Sequence, residues 1–582
     1  MDSTIDNPVK LRNRMLEVVS KTGGHLASSL GAVEIAMALA EVFDPSKDRV
    51  VWDVGHQAYA WKMLTGRNER FDTLRQMGGV SGFPNPSESD ADAAVAGHAG
   101  VALSVAAGLA AARDQRKSHE HVIAVVGDAS MANGVSFEAL NNCAAATTKM
   151  IVVLNDNEMS ISRPTGSFAR LLGRLITGVR YNRFKMAAEK IGHALRLTFL
   201  RGIYHSLERR VKSLFLGNAF FEQFGLRYIG PVDGHDLQAL RDAFTVAKED
   251  KRSVLVHVVT KKGHGYAPAE KNPTKWHGVG PFDLMPNVES AKAAPKKRGW
   301  SDVFGDALCE IARKDKRVVA ITAAMKDGTG LVDFASEFPA RFFDVGIAEE
   351  HMVAFAAGLA AGGSRPVVAV YSTFLQRAVD QVMHDVCLSN QPVVFCVDRA
   401  GVVGADGATH QGVFDIAMLR CLPNIAICQP KDADDLRLLM LEALVRKGPT
   451  VIRYPRGAAP EKVEAVSSIA EGGRARFAIW ATGDWLGKAN EVARLVGGCE
   501  VTFARYLKPF DSATLERQRK AGMTIVSLEN GSVAGGFGES IGADVKFGWP
   551  DEFIPHGSQA ELEKKYGLDA ASIADALRRR VR

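Results

Sequence analysis

Short apolar runs rich in β-branched residues alternate with stretches of helical period along most of this chain. In its first part VIAVV (122–126), MIVVL (150–154) and VLVHVV (254–259) predict strands. Between the first two, VSFEALNNCAAAT (135–147) spaces its apolar positions as a helix does, so a β-α-β unit is expected. A second series comprises RVVAIT (317–322), FFDVGI (342–347), PVVAVY (366–371), PVVFCVD (392–398) and AICQP (426–430). A third, shorter one comprises FAIWAT (477–482), VTFARY (501–506) and MTIVSLE (523–529). Strands alternating with helices in this way predict α/β layers with parallel sheets. Residues 163–219 break the pattern: they are Arg-rich, helical in period and poor in strands, as an insertion packed over the first domain would be. Composition shifts to Pro, Ala and Lys in MPNVESAKAAPKKRGW (285–300) and breaks again in APEKVEAVSSIAEGG (459–473). The expected organisation is a first domain over 1–285, a linker over 286–300, a second domain over 301–460 and a smaller third over 474–582.

Composition narrows the class. A chain of 582 residues is too long for one core. With 46% hydrophobic and 24% charged residues it has an ordinary soluble, globular balance. A net charge of +6 is small for this length and gives no reason to expect a nucleic-acid partner. No run of 18 apolar residues is present, so no membrane span is expected. The polar start MDSTIDNPVK has no secretory apolar region, and the seven Cys include no C-x-x-C pair; both predict a cytoplasmic protein with reduced thiols.

Candidate chemistry begins at two strand ends. Asp128 follows the first run in VVGDASMANG, and Asn157, 29 positions on, follows the second in VVLNDNEMSI. In open α/β sheets ligands bind at the carboxyl ends of strands, so both can reach one crevice. A carboxylate, an amide oxygen and the nearby Met159 carbonyl form a hard oxygen set suited to Mg²⁺, which takes its remaining ligands from water and phosphate. Gly127 lets the backbone approach such a diphosphate closely. A strand-end Asp alone is common; the spacing GD, about thirty residues, N is more specific and resembles the thiamine diphosphate-binding motif.

The resemblance then extends over nearly the whole chain. KTGGHLASSLG (21–31), WDVGHQAY (52–59), GGVSGF (78–83), YIGPVDGHD (228–236), TKKGHGYAPAEKNP (260–273), DVGIAEEH (344–351), YSTFLQRAVDQ (371–381), DRAGVVGADGATHQG (398–412), RYPRG (453–457) and FIPHGSQ (553–559) resemble the 1-deoxy-D-xylulose-5-phosphate synthase family. Membership implies a three-domain, transketolase-like α/β architecture and a homodimer. It implies thiamine diphosphate with Mg²⁺ as cofactors, and pyruvate and D-glyceraldehyde 3-phosphate as substrates. The product, released with CO₂, would supply isoprenoid, thiamine and pyridoxal synthesis.

The resemblance also implies roles. Glu349 matches the glutamate that hydrogen-bonds the cofactor's aminopyrimidine and promotes C2 deprotonation; the neighbouring Glu350 is a rival for it. Phe374 matches the aromatic beside the pyrimidine, and Tyr371 falls in the same motif. His56, His98, Gly127, Asp128, Ala129 and Asn157 match the diphosphate side. His25, His56, His277 and His410, with Asp406, are the candidate proton shuttles and donors around the substrates. Arg399, Arg456 and, as a further candidate, Arg377 match phosphate-binding arginines; Arg offers a carboxylate or phosphate two parallel hydrogen bonds.

The departures cluster in the first domain. Ala99 and Gly100 stand where hydroxyls are usual, Ala129 where glycine is, Asn85 and Pro86 where basic residues are, and Ala60–Trp61 interrupt a YPHK pattern. They leave open a paralogue taking another aldehyde. A transketolase fits YSTFLQRA and VGADGATHQG less well, and a non-catalytic relative would be expected to lose Glu349, Asp128 or Asn157.

Overall fold

The computed structural model describes residues 4–157, 167, 217–284, 298–469 and 473–580. The predicted insertion over 163–219 falls almost wholly outside these residues, as do Met159 and most of the linker. The chain forms two compact units, Met1–Arg75 with Gly79–Pro286, and Gln76–Gly78 with Asn287–Arg582.

The first unit carries strands β1 (Arg49–Trp52), β2 (Val122–Gly127), β3 (Ile151–Asp156), β4 (Arg227–Asp233) and β5 (Val254–Val259) in one parallel sheet of order β1-β2-β3-β5-β4. Alternate side chains of its strands enter two separate cores. Ile123, Val125, Ile151, Val153 and Val256 face one, with Leu11, Met15 and Phe244; Val122, Ala124, Val126, Val152 and Leu255 face the other, with Leu103, Ala106 and Leu140. Burial on both faces is why these strands read as continuous apolar runs. The helix expected after β2 spans Gly134–Ala146, capped by the Asn133 side chain on the Val135 N–H.

The second unit holds two sheets. The larger comprises β6 (Val318–Thr322), β7 (Phe342–Asp344), β8 (Arg365–Tyr371), β9 (Val394–Asp398), β10 (Ala426–Cys428) and β11 (Thr450–Arg453), all parallel. The smaller comprises β12 (Phe477–Thr482), β13 (Cys499–Ala504), β15 (Thr524–Ser532) and β16 (Val545–Trp549), also parallel. Strand β14 (Tyr506–Lys508), from the C-terminal stretch, instead pairs antiparallel with β10 and completes the order β14-β10-β11-β9-β8-β6-β7. One core joins the two sheets: Val368, Phe395 and Ile427 share it with Trp480, Leu507 and Phe537. The parallel α/β class expected from the sequence is what the chain adopts. No helix among the described residues is long and apolar enough to cross a membrane.

Candidate functional site

In the first unit the candidate residues collect at the carboxyl edge of the parallel sheet, as expected for an α/β fold. Asp53 follows β1, Asp128 follows β2, Asn157 follows β3 and Lys262 lies three residues past β5. Asp53 organises the neighbouring loop: its carboxylate accepts the Gly100 N–H at 2.9 Å and the Ala102 N–H at 3.0 Å. Gly100 has φ +86, and a side chain there would collide with Asn133. Its departure from the family pattern is therefore matched to the backbone it serves. The loop with Asn85 is held from below by buried Lys62, which pairs with Glu88 at 2.7 Å, while Asp92 accepts from Arg67 at 2.9 Å and from the Asn85 N–H at 2.8 Å.

Three of the predicted histidines converge. The rings of His25, His56 and His277 lie with centroids 5.3–6.2 Å apart, although they come from three separate segments. His25 opens the helix Leu26–Gly31, its N–H donating to the Tyr59 hydroxyl oxygen at 3.1 Å. The Ser28 hydroxyl and His277 Nδ1 are 3.3 Å apart. Burial first, and then neighbouring positive groups, hold His56 and His277 well below the usual histidine range. Both are neutral at pH 7, so each ring offers one donor and one acceptor nitrogen. His98 is half-buried in the loop that Asp53 anchors.

The charges around Asp128 suit a cation. Asp128 is buried, and burial followed by the nearby Asp156 pushes its carboxyl up to about 8. Lys262, also buried, is pushed down to about 8 by burial, against the attraction of Asp128. A divalent ion would offset the cost of these crowded carboxylates. His56 Nδ1 and Gln57 Nε2 are buried without a hydrogen-bond partner, and a Cβ on Gly127 would meet nothing within 4 Å. Open space beside strand-end oxygens, with unpartnered polar nitrogens on the following loop, fits a diphosphate carrying a metal ion. Asp128 begins the short helical turn Asp128–Met131, and Ala129 follows it.

Sequence reasoning did not single out several residues here. Asn155 donates to Gln57 Oε1 at 2.7 Å and accepts from Thr260 at 2.6 Å, tying the ends of β3 and β5 to the loop after β1. Asp156 meets His257 Nε2 at 3.0 Å, and His257 Nδ1 meets the Tyr228 hydroxyl at 2.7 Å, which fixes Asp156 from behind. Lys262 belongs to the motif TKKGHGYAPAEKNP (260–273), but a KK pair in a Gly-rich loop reads as solvated charge.

In the second unit the other predicted residues again follow strand ends: Glu349 after β7, Tyr371 to Arg377 at the end of β8, Arg399 after β9 and Arg456 after β11. Glu349 is the first residue of the helix Glu349–Ala361 and is 3% exposed. Burial raises its carboxyl above the ordinary range, opposed chiefly by the charge of Arg377, which donates to Oε2 at 3.1 Å. Glu350 is only half-buried. The structure thus gives Arg377 a carboxylate partner, a contact the sequence did not disclose.

Phe374 lies between Tyr371 and His410, with ring centroids 5.8 Å and 5.5 Å away. The Arg399 guanidinium stacks 3.8 Å above the Tyr371 ring, pairs with Asp398 at 3.1 Å and donates to the Gly328 carbonyl at 3.0 Å. Burial pushes the Tyr371 hydroxyl up to about 12, with smaller effects of Arg399, Asp398, Arg456 and Asp406, which places those charges around it. Arg456 is exposed and donates to the Val403 carbonyl at 3.3 Å. The His410 ring is held through Nδ1 by Thr409 at 2.9 Å.

Comparison with known proteins gives a consistent family. Residues 6–260 match the family model described as 1-deoxy-D-xylulose-5-phosphate synthase, and 296–462 match the transketolase pyrimidine-binding domain. The 1-deoxy-D-xylulose-5-phosphate synthase 1 of Geobacter metallireducens is 46% identical over 98% of this chain and 95% of that protein. The 1-deoxy-D-xylulose-5-phosphate synthases of Syntrophotalea carbinolica and Natranaerobius thermophilus are 46% and 44% identical, again over 98% of this chain and over 93% and 95% of those proteins. Among solved structures, a transketolase variant from Pichia stipitis is 18% identical over 99% of this chain and 97% of that chain, with a TM-score of 0.44.

Proposed function

Because this chain belongs to the 1-deoxy-D-xylulose-5-phosphate synthase family, we propose that the residues of each cluster serve thiamine diphosphate and the substrates that react on it. The enzyme is a transferase that joins pyruvate to D-glyceraldehyde 3-phosphate, releases CO₂ and yields 1-deoxy-D-xylulose 5-phosphate. When bound, thiamine diphosphate supplies a nucleophilic carbon at its thiazolium C2.

The observation that carries the residue assignment is Glu349. A carboxyl buried at 3% exposure, raised in pKa and steadied on one oxygen by Arg377 can hold a proton against an aminopyrimidine nitrogen, where general acid–base help is needed. Phe374 and Tyr371 give the ring an aromatic neighbour. On the diphosphate side Asp128, Asn157 and the Met159 carbonyl are the proposed Mg²⁺ ligands, with Gly127, Ala129, His56 and His98 lining the phosphates and Lys262 adding positive charge. His25, His56 and His277, with His410 and Asp406, are the proposed donors and shuttles for oxygen atoms that gain negative charge during reaction. Arg377 is better suited to orient Glu349 than to bind phosphate, because its side chain is only 10% exposed and faces that carboxylate.

Arg399 and Arg456 are the proposed grip on the acceptor phosphate. Losing one charge-assisted partner costs roughly 1.5–3 kcal/mol, about 10–150-fold. Arg456→Ala is expected to raise the KM for glyceraldehyde 3-phosphate by that factor and to leave unphosphorylated glyceraldehyde and pyruvate nearly unchanged. Equal weakening of phosphorylated and unphosphorylated acceptors in steady-state kinetics would remove Arg456 from this role.

The proposed domains are 1–285, 301–460 and 474–582, joined through 286–300. The proposed state is a cytoplasmic homodimer, two-fold dimers being the commonest closed assemblies of soluble chains. Light scattering at micromolar concentration is expected to give twice the chain mass; a fully active monomer would contradict the dimer.

A further inference from the structure

The motif FIPHGSQ (553–559) has no part in the roles above, yet it lies against the loop that carries Asp406 and His410. That loop leaves β9 at Arg399 and is closed at its neck, where Gly401 and Gly412 exchange both backbone hydrogen bonds at 2.7 Å. On one side the Ser372 hydroxyl donates to the Gly412 carbonyl at 3.2 Å and the Thr373 hydroxyl to the Thr409 carbonyl at 3.0 Å. On the other side contacts come from the C-terminal stretch. Asn530 Oδ1 accepts the Val402 N–H at 3.3 Å and is itself fixed by the Trp549 indole N–H at 3.0 Å. Gln411, 2% exposed, donates through Nε2 to the Pro555 carbonyl at 3.1 Å, while its Oε1 accepts the Val403 N–H at 2.7 Å.

The approach is close enough to dictate residue type. A Cβ on Gly407, at φ +70, would lie 3.0 Å from the His556 Cβ, and one on Gly404, at φ +97, would lie 3.0 Å from the Gly557 carbonyl oxygen. A side chain on Gly401 would collide with Asn530. The three glycines of GVVGADG are thus the face on which the C-terminal stretch rests, as well as points where the backbone turns through positive φ.

We propose that the C-terminal stretch clamps the 401–412 loop in the geometry that the pyruvate site needs, with Gln411 and His556 as positioning residues. This rests on the reading that Asp406 and His410 are donors beside the reacting substrates, and takes pyruvate as the substrate they serve. The C-terminal sheet would then contribute to catalysis without supplying any group that touches substrate.

Gln411→Glu tests the clamp selectively. It keeps an oxygen for the Val403 N–H, loses the donor to Pro555 and sets a carboxylate against that carbonyl. His556→Gly opens the same contact from the other side without altering the loop, and decides the matter if the first variant does not fold. In the full-length holoenzyme, both are expected to speed amide hydrogen exchange over 402–410 by about tenfold, with β9 unchanged. The KM for pyruvate should rise about tenfold, because small misplacements of substrate-positioning groups are costly. The calorimetric affinity for thiamine diphosphate with Mg²⁺ should stay at the parent value. Unchanged exchange at 402–410 in both variants would overturn the clamp. Faster exchange with an unchanged pyruvate KM would overturn it too, and His410→Ala then shows which premise failed. If that variant is impaired with pyruvate, the clamp is dispensable to a real site; if it is not, the loop does not serve pyruvate.

Discussion

Asp128→Asn is expected to abolish Mg²⁺-dependent binding of thiamine diphosphate while leaving the apoprotein folded and no less stable than the parent. The two effects have one cause. Asp128 is a buried carboxyl beside Asp156, pushed up to about 8 by burial and then by that neighbour. In the unfolded chain it titrates near the ordinary aspartate value of about 3.9. A carboxyl whose folded pKa is raised destabilises the fold as pH climbs above the unfolded value, and the loss is complete once pH passes the folded one. The apoprotein should therefore lose stability between about pH 4 and pH 8. Asn cannot ionise and should flatten that slope in thermal melts taken across the range. The same carboxylate is the proposed anchor of Mg²⁺. Removing even an outer partner of a metal site costs about 10–100-fold in affinity, so losing the ligand should cost at least about a hundredfold. Retained micromolar cofactor affinity in calorimetry would count against the assignment, and an unchanged pH slope would mean that Asp128 is not the strained group.

Glu349→Gln is expected to lower kcat by about 10²–10⁴-fold, the usual range for one positioned acid–base group. Gln fills the same space and can still hydrogen-bond, but it cannot exchange a proton. Cofactor and substrate affinities should move little. Hydrogen–deuterium exchange at C2 of the bound cofactor reads the deprotonation step alone and should slow with kcat. Arg377 sets the second half of the test. It lowers the carboxyl that burial has raised, so Arg377→Met should move the alkaline limb of the kcat profile, where the held proton is lost, to higher pH. An exchange rate unaltered by Glu349→Gln would transfer the role to Glu350, whose half-buried position is otherwise that of a first-turn acid at a helix N-terminus.

Much of the architecture was legible because burial on both faces writes itself into sequence. The runs at 122–126, 150–154, 254–259 and 366–371 coincide with β2, β3, β5 and β8. Other strands were not legible: β1, β11 and β14 have only three or four residues each, and β4 contains Pro231, which breaks a strand pattern. Individual site residues were legible through motifs, but their partners were not. Nothing local tells that His25, His56 and His277 meet, that Arg377 turns to Glu349, or that His257 stands behind Asp156, because each pairing is made by the packing of distant segments. Lys262 was hidden for a different reason: burial cannot be read from a lysine in a polar loop. Ala99 and Gly100 stand where the family pattern has hydroxyls; at Gly100 the backbone conformation and Asn133 supply a local reason for glycine.

The most direct test of the account is the fate of carbon when the purified enzyme, thiamine diphosphate and Mg²⁺ are given ¹³C-labelled pyruvate and D-glyceraldehyde 3-phosphate. The account predicts that carboxyl label leaves as CO₂. It predicts that label from the other two pyruvate carbons appears by NMR as the methyl and carbonyl of 1-deoxy-D-xylulose 5-phosphate, in equal amount to the CO₂ released. Turnover of a ketose phosphate donor without CO₂, or pyruvate carbon joined to another aldehyde in preference to glyceraldehyde 3-phosphate, would contradict it.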